Sequence, residues 1–171
     1  RDSKGRTPLH IACVQGAPTV MDGLVNYDKE AASMVDNDGY MPIFTFLTNI
    51  SSQPLPYSNA EIEMCIDALL SASPHSLLMR SNAGESLIHV MIKAKTPTWL
   101  INRVMDECPE LIKTRDRDGR NILHCICRSH TAWGEELVRR TLRAHKTATL
   151  EVDCDGKTPL WELLMNNHFS A

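Results

Sequence analysis

The sequence predicts an all-α fold, an α-solenoid of stacked helix–turn–helix repeats with hairpin-like turns between units. Two observations indicate this fold class. First, a segment that combines a turn, a helix start and an apolar stripe occurs five times in 171 residues. Second, the turn glycines of these copies lie 34, 45, 35 and 37 residues apart, at Gly5, Gly39, Gly84, Gly119 and Gly156. A period of this size, with a turn and two helical patterns per unit, is typical of a solenoid.

The first copy contains a local signal for each part of the unit. Gly5 can adopt a positive φ without steric cost, which suits a tight turn. Thr7 is a good helix N-cap, and Pro8 suits the first helical position, where no N–H is needed. The apolar residues that follow have the i, i+3, i+4 spacing of one helix face and are Leu9, Ala12 and Cys13.

These copies resemble the ankyrin repeat, whose signature is Thr-Pro-Leu-His-x-Ala at a period of about 33 residues. Residues 7–12 match the signature in full, and residues 158–160 match its first three positions. The other copies keep parts of it, namely Pro42 in the second, Ile88-His89 in the third and Leu123-His124 in the fourth. The resemblance covers essentially the whole chain. It implies that first helices and hairpin tips line one concave side, where partners bind.

We expect one repeat array over residues 1–171. Its repeats are predicted at about 2–35, 36–80, 81–115 and 116–152, with a partial fifth repeat at 153–171. The chain lacks an initiator Met and shows no polar capping repeat at either end. We therefore interpret it as a fragment of a longer protein.

The helical patterns predict where each element lies in the first two repeats. Helices are expected at about 8–15 and 18–27, the second with an inward face of Val20, Leu24 and Tyr27. Pro42 opens the next helix, and residues 51–58 form a loop rich in proline and serine. Asn59 is expected to cap the helix after that loop.

The later repeats follow the same scheme. Thr96 and Pro97 are predicted as the N-cap and first residue of the second helix in the third repeat. The fourth repeat has its second helix at about 132–144, and the fifth has a single helix at about 159–166. That last helix is expected to leave three leucines open unless Phe169 folds over them; they are Leu160, Leu163 and Leu164.

Composition excludes several classes of function. The net charge of −3 gives no basis for nucleic-acid binding. No run approaches 18 apolar residues, so we expect no membrane contact. The six cysteines do not form a stapled framework, because the repeats already supply a core. We expect reduced thiols, a cytoplasmic or nuclear location and a monomeric protein.

We interpret the histidines, cysteines and paired aspartates as residues that stabilise the fold rather than as metal ligands or catalytic groups. His10, His89 and His124 share one phase of the repeat, but neighbouring units lie about 10 Å apart, too far for shared coordination. On one helix, Cys125 and Cys127 are about 200° apart, which favours a buried Cys127 and a partly exposed Cys125. The paired aspartates fit turn chemistry rather than a calcium loop. We therefore expect no catalytic residues, no metal, no cofactor and no enzymatic activity.

The remaining function is that of a protein–protein interaction scaffold, which binds a partner through hairpin tips and first helices. The candidate partner-binding residues are Lys4, Arg6, Tyr40, Glu85, Lys93, Arg117, Arg120, Arg128 and Lys157. Arg117, Arg120 and Arg128 are expected to cluster around the fourth repeat, with Lys93 and Lys157 on either side. This cluster predicts a patch for an acidic or carboxylate-bearing protein segment. A merely solvated charged face is the alternative interpretation.

Three further alternatives remain open. The array could be a purely structural spacer with no partner at all. The repeats could present substrates for a larger enzyme or a pathogen effector whose catalytic domain lies outside this sequence. The loop at 51–58 could carry a second binding site, with Leu55 and Tyr57 as exposed anchors, or could cover the apolar second repeat.

Overall fold

The computed structural model describes residues 1–52, 58–129 and 135–168. Within these ranges it contains nine α-helices, and its β structure is limited to isolated bridge residues, such as the pair Arg115 and Asn121. The chain divides into two compact units, Arg1–Ala83 and Gly84–Ala171. The predicted single array, with its five repeat boundaries, stays a prediction. None of the helices in the described ranges is long and apolar enough to cross a membrane.

The first unit is built from two pairs of helices. They are α1 (Pro8–Gln15), α2 (Pro18–Tyr27), α3 (Pro42–Ser52) and α4 (Asn59–Ala72). Short 3₁₀ helices follow the second and fourth of these, at Lys29–Ser33 and Pro74–Leu78. Helix α1 packs on α3 and α2 packs on α4, so equivalent helices of the two repeats stack on each other. The predicted bounds of α1 and α2 are confirmed.

The cap residues of α1 explain these bounds. The Thr7 hydroxyl accepts the backbone N–H of His10, and the His10 ring accepts the backbone N–H of Thr7 in return. Pro8 occupies the first position, as predicted. At the other end Gly16 adopts the left-handed conformation, with φ 58°. Glycine is the usual residue there because it has no Cβ to clash.

The predicted inward face of α2 is wrong. Val20 and Tyr27 are 52% and 91% exposed, and Leu24 is half-buried. The buried residues are Met21 and Val25, one position further along. They are four residues apart and so lie one above the other on the face that packs against the neighbouring helices. A shift of one residue rotates the face by about 100°.

The predicted cap of α4 is also wrong by one residue. Ser58 is the N-cap, and its hydroxyl accepts the backbone N–H of Glu61. The Glu61 carboxylate accepts the backbone N–H of Ser58 at 2.8 Å. This reciprocal pair satisfies two helix-end donors, which a cap at Asn59 would not do. The predicted loop begins later than expected, because Ser51 and Ser52 end α3. Residues 53–57, including Leu55 and Tyr57, lie outside the described residues.

The second unit contains the remaining five helices of the described chain. They are α5 (Leu87–Lys93), α6 (Thr98–Glu107), α7 (Ile122–Arg128), α8 (Glu135–Ala144) and α9 (Pro159–His168). A 3₁₀ helix, Pro109–Lys113, follows the second of these. Helix α7 packs on both α5 and α9, so three successive first helices stack. The core of the unit includes Ile88, Met91, Ile92, Leu100, Ile101, Val104, Met105, Leu111 and Ile122.

The start of α6 differs from the prediction. Pro97 is its N-cap and Thr98 its first residue, whereas Thr96 is buried and belongs to the preceding turn. The Thr96 backbone N–H donates to the Met91 carbonyl at 3.0 Å, which closes α5. Thr96 therefore completes one helix instead of starting the next.

The last two helices are described in part. Helix α8 begins at Glu135 within the described residues, so its predicted start near residue 132 lies outside them. Helix α9 runs two residues beyond its predicted end. The exposure predicted for Leu160, Leu163 and Leu164 is confirmed.

Candidate partner-binding site

An aspartate shapes four of the five hairpins. The Asp116 carboxylate accepts the backbone N–H groups of Asp118 and Arg120, at 3.0 and 2.9 Å. Asp2, Asp36 and Asp153 make the same pair of hydrogen bonds in their own turns. Three residues after each of these aspartates stands a glycine with positive φ, from 74° to 79°. These aspartates thus serve turn geometry, as predicted.

Three buried histidines, one in each of three first helices, connect their helix to the following hairpin. The Nε2 atoms of His10, His89 and His124 lie 2.9, 3.1 and 3.0 Å from main-chain oxygens of the next hairpin. In His10 the Nδ1 atom accepts the backbone N–H of Thr7, so we assign the proton to Nε2, which donates to the Tyr40 carbonyl. The predicted structural role of these histidines is confirmed. Among the described residues, no three His, Cys, Asp or Glu side chains are grouped to hold a metal ion.

A pocket of about 340 Å³ lies in the second unit, where two first helices end. Lys93 is the last residue of α5 and Arg128 is the last residue of α7. Lys95 follows α5, and Arg120 reaches the pocket from the hairpin before α7. The described residues that line this basic pocket are Lys93, Lys95, Arg120, Cys125, Arg128 and Ser129. Four of these six are cationic and none is acidic.

The Arg120 guanidinium is a partly buried centre of ion pairs, with its side chain 15% exposed. It contacts Asp118, and it approaches Asp153 at 3.8 Å and Glu162 at 4.0 Å. Burial alone would lower the pKa of Arg120, but these carboxylates raise it above its ordinary value. Burial would raise the pKa of Asp153, yet backbone N–H groups and Arg120 hold that pKa below its usual range. Arg120 is therefore charged and holds α9 and its hairpin in place.

The two cysteines of α7 have the opposite exposure to that predicted. Cys125 is buried at the wall of the basic pocket, and Cys127 is half-buried. Burial raises the pKa of the Cys125 thiol to about 12, so it is neutral at physiological pH and is a poor nucleophile. The prediction failed because α7 packs against both α5 and α9, so two opposite faces of this helix are covered.

No protein-family model matches the chain. The human B-cell lymphoma 3 protein is 24% identical over 171 residues, which cover 99% of this chain and 35% of that relative. The chain thus spans about a third of the relative's length. Among solved structures, the ankyrin-repeat domain of Bcl-3 has a TM-score of 0.72 at 23% identity, with 96% of this chain and 68% of that chain covered.

Two further structures are similar. The ankyrin-repeat fragment of Swi6 from Saccharomyces cerevisiae has a TM-score of 0.74 at 14% identity, with coverage of 95% and 71%. The complex of the predatory endopeptidase Bd0816 from Bdellovibrio bacteriovorus with immunity protein Bd3460 contains a chain with a TM-score of 0.74 at 15% identity, with coverage of 98% and 78%. This chain has the ankyrin-repeat fold. The resemblance and the all-α solenoid class predicted from the sequence are confirmed.

The ankyrin-repeat register relates the predicted site residues to one another. Lys93 and Arg128 occupy one position, the end of the first helix, in the third and fourth repeats. Both line the basic pocket with Arg120, so the structure brings together three of the predicted cations. Glu85 belongs to the same neighbourhood because it forms an ion pair with Lys93.

The other predicted residues lie apart from this pocket. Arg117 is exposed on the tip of the hairpin, and Lys157 lies 4.6 Å from the Trp161 ring centroid and 3.0 Å from Asp155. The remaining three belong to the first unit, and among these Arg6 is paired with Asp2 at 2.7 Å. They are Lys4, Arg6 and Tyr40.

Sequence reasoning missed Lys95, which lines the basic pocket and has φ 60°. Aligning the first and third repeats on their histidines would have identified Lys95. His10 and Gly16 are six residues apart, as are His89 and Lys95, so Lys95 occupies the position that Gly16 fills in the first repeat. A lysine in a glycine position was visible in the sequence.

Proposed function

We propose that this protein is a protein-interaction scaffold whose basic pocket binds an acidic segment of a partner protein. The observation that supports this most is the convergence of Lys93, Lys95, Arg120 and Arg128 on one cavity, with no acidic side chain among its described lining residues. Most exposed charges in proteins are mixed in sign, so a single-sign concavity favours a ligand of the opposite charge. The pocket lies where two first helices end, and first helices belong to the surface through which ankyrin-like arrays bind partners.

The comparisons support the general role. One of the similar structures is a complex between an endopeptidase and an immunity protein, so a chain of this fold takes part in a protein–protein complex there. Extended arrays of this kind act through their binding surface. We accordingly propose a role in binding rather than catalysis for this chain.

The charges of the pocket differ in what they would contribute. Lys95 and Arg128 are exposed, and Lys93 is half-exposed at its side chain. Exposed cations accelerate encounter with an acidic segment, and their effect falls as salt increases. Arg120 is already surrounded by carboxylates, so its main role is to hold the pocket wall.

The test is an affinity capture with two matched variants. Lys93→Gln and Arg128→Ser remove two charges of the pocket, and Arg117→Ser removes one exposed charge on the hairpin tip. In the control, Lys29→Gln, Lys113→Ser and Lys146→Ser remove three exposed charges elsewhere. Arg120 is kept, because its loss would leave Asp153 and Glu162 without their counter-ion. Proteins lost by the first variant and retained by the second are partners, and acidic peptides from them should bind the wild type in calorimetry. If no captured protein distinguishes the two folded variants, the proposal is wrong.

The alternative function is substrate presentation. In a longer protein the repeats could present substrates to a catalytic domain outside this sequence, and the full-length reading frame would reveal such a domain. We further propose a monomer that binds neither nucleic acid nor membrane and resides in the cytoplasm or nucleus. All six cysteines are free, which supports a reducing compartment.

A further inference from the structure

We propose that the basic pocket is selective for a phosphorylated side chain of the partner segment, and that Lys95 is one of the residues that bind it. This inference rests on the proposed function and specifies that the acidic segment carries a phosphoryl group. It combines the backbone conformation of Lys95 with the charges already present around the pocket.

The conformation of Lys95 is unusual. It is the only residue other than glycine with a positive φ in the described parts of the chain. In the first repeat the equivalent turn is made by Gly16, with φ 58°. Both turns close with the same hydrogen bond, from the residue that follows to a carbonyl five residues back. These bonds are Ala17 N–H to Ala12 O at 3.2 Å and Thr96 N–H to Met91 O at 3.0 Å.

A lysine in this conformation is less stable than a glycine, because its Cβ lies too close to the following carbonyl. Strained residues of this kind cluster at ligand-binding sites, where the rest of the structure holds them. Lys95 fits that pattern because its side chain is exposed and lines the basic pocket. The strain places a cation at the edge of a cavity in a turn where glycine would be the stable choice.

The existing ion pairs favour phosphate over carboxylate. Lys93 is paired with Glu85, and Arg120 is paired with Asp118. A carboxylate from a partner would only replace the carboxylate ion pairs that these two cations already form within the chain. A phosphoryl group carries about −1.5 to −2 charges and three acceptor oxygens, so it can gain contacts that a carboxylate cannot. With Lys95 and Arg128 also at the cavity, donors from α5, its C-terminal turn and α7 can surround one phosphoryl group.

Three synthetic peptides test this inference. They share an acidic sequence, Glu-Asp-X-Asp-Glu with blocked ends, in which X is phosphoserine, glutamate or serine. We expect the phosphopeptide to bind the wild-type protein about tenfold more tightly than the glutamate peptide, since phosphate carries more negative charge and a third acceptor oxygen. In amide NMR spectra, the affected resonances should lie at the ends of α5 and α7.

The variant Lys95→Gly isolates the proposed residue. It should fold, because Gly16 makes the same turn in the first repeat. We expect it to reduce phosphopeptide affinity about fivefold and to change glutamate-peptide affinity much less. The matched control is Lys146→Gly, which removes an exposed lysine of the same unit, away from the described pocket lining, and should leave both affinities unchanged.

The possible outcomes separate this inference from the proposed function. Equal binding of the phosphoserine and glutamate peptides overturns phosphate selectivity and leaves acidic-segment binding intact. Unchanged phosphopeptide affinity in Lys95→Gly overturns the role of Lys95. If inorganic phosphate competes as strongly as the phosphopeptide itself, the site binds free anions and the assignment to a protein segment is wrong. If none of the peptides binds, the phosphate inference falls, and the capture experiment above decides the proposed function.

Discussion

The Nε2 atom of His89 lies 3.1 Å from the main-chain oxygen of Arg120, so the first helix of the third repeat is tied to the hairpin of the fourth. The same histidine contacts the Ser86 hydroxyl through Nδ1 at 2.6 Å, and that hydroxyl contacts Thr114 at 2.9 Å. One buried ring thus connects its own helix start to the next hairpin. Because Arg120 also lines the basic pocket, this contact places the pocket wall relative to α5.

Replacement of His89 by leucine should destabilise the second unit by about 2–3 kcal/mol. The change leaves the Arg120 carbonyl without its histidine partner and the Ser86 hydroxyl with Thr114 alone. A buried group left unpaired costs more than a neutral hydrogen bond contributes. Urea denaturation followed by circular dichroism measures the loss. As a comparison, Tyr27→Leu replaces a side chain that is 91% exposed and should change stability by less than about 0.5 kcal/mol. Equal effects of the two substitutions would contradict the role assigned to His89.

His10 should make the first unit less stable as the pH falls. Burial lowers the pKa of His10 below its ordinary value of 6.5, so the unfolded chain binds this proton more readily than the folded one. Stability from this residue is therefore complete above pH 6.5 and decreases as the pH falls towards the folded-state pKa. Urea midpoints measured between pH 5 and 8, for wild type and His10→Gln, give the test, using about 0.5-unit steps around the unperturbed value. A wild-type pH dependence no steeper than that of the variant would contradict it.

Lys95→Gly should raise the unfolding free energy by about 1 kcal/mol, because glycine adopts the left-handed conformation without strain. The reverse change in the first repeat, Gly16→Lys, should lower it by a similar amount. Thermal and urea unfolding of the two variants provide a matched pair. Should Lys95→Gly be destabilising, the strain on which the phosphate inference draws would be absent.

Arg120→Ala should cost about 2–3 kcal/mol of stability, since it leaves the buried carboxylates of Asp153 and Glu162 without a counter-ion. The neighbouring variant Arg117→Ala removes an exposed guanidinium and should change stability by less than about 0.5 kcal/mol. Urea denaturation distinguishes the two arginines, which are three residues apart on one hairpin. Similar small effects at both positions would show that Arg120 has no structural role.

Several features that depend on neighbouring residues were predictable from the sequence, although the equally local caps of α4 and α6 were predicted wrongly. The turn at Gly5, the cap at Thr7 and the bounds of α1 each follow from chemistry within a few residues. The repeat period then gave the fold class, because each unit must bury its apolar face against the next.

Features that depend on distant residues were harder to predict. Arg120 and Arg6 occupy the same place in their hairpins, yet only Arg120 meets carboxylates from Asp153 and Glu162, more than 30 residues away. Arg6 pairs within its own turn, with Asp2. The exposed face of α2 has a similar origin, since Val20 is as apolar as Val25 and packing against neighbouring helices decides which is buried.

Each unit contains buried cysteines whose rate of alkylation reports how often that unit opens. In the first unit, burial raises the pKa of the Cys13 thiol and raises that of Cys65 to about 11. In the second unit, burial raises the pKa of the Cys125 thiol. An alkylating reagent reaches such a sulfur atom only in the moments when the surrounding helices separate. Modification rates read residue by residue in a mass spectrometer would therefore report how often each half opens, without any introduced label.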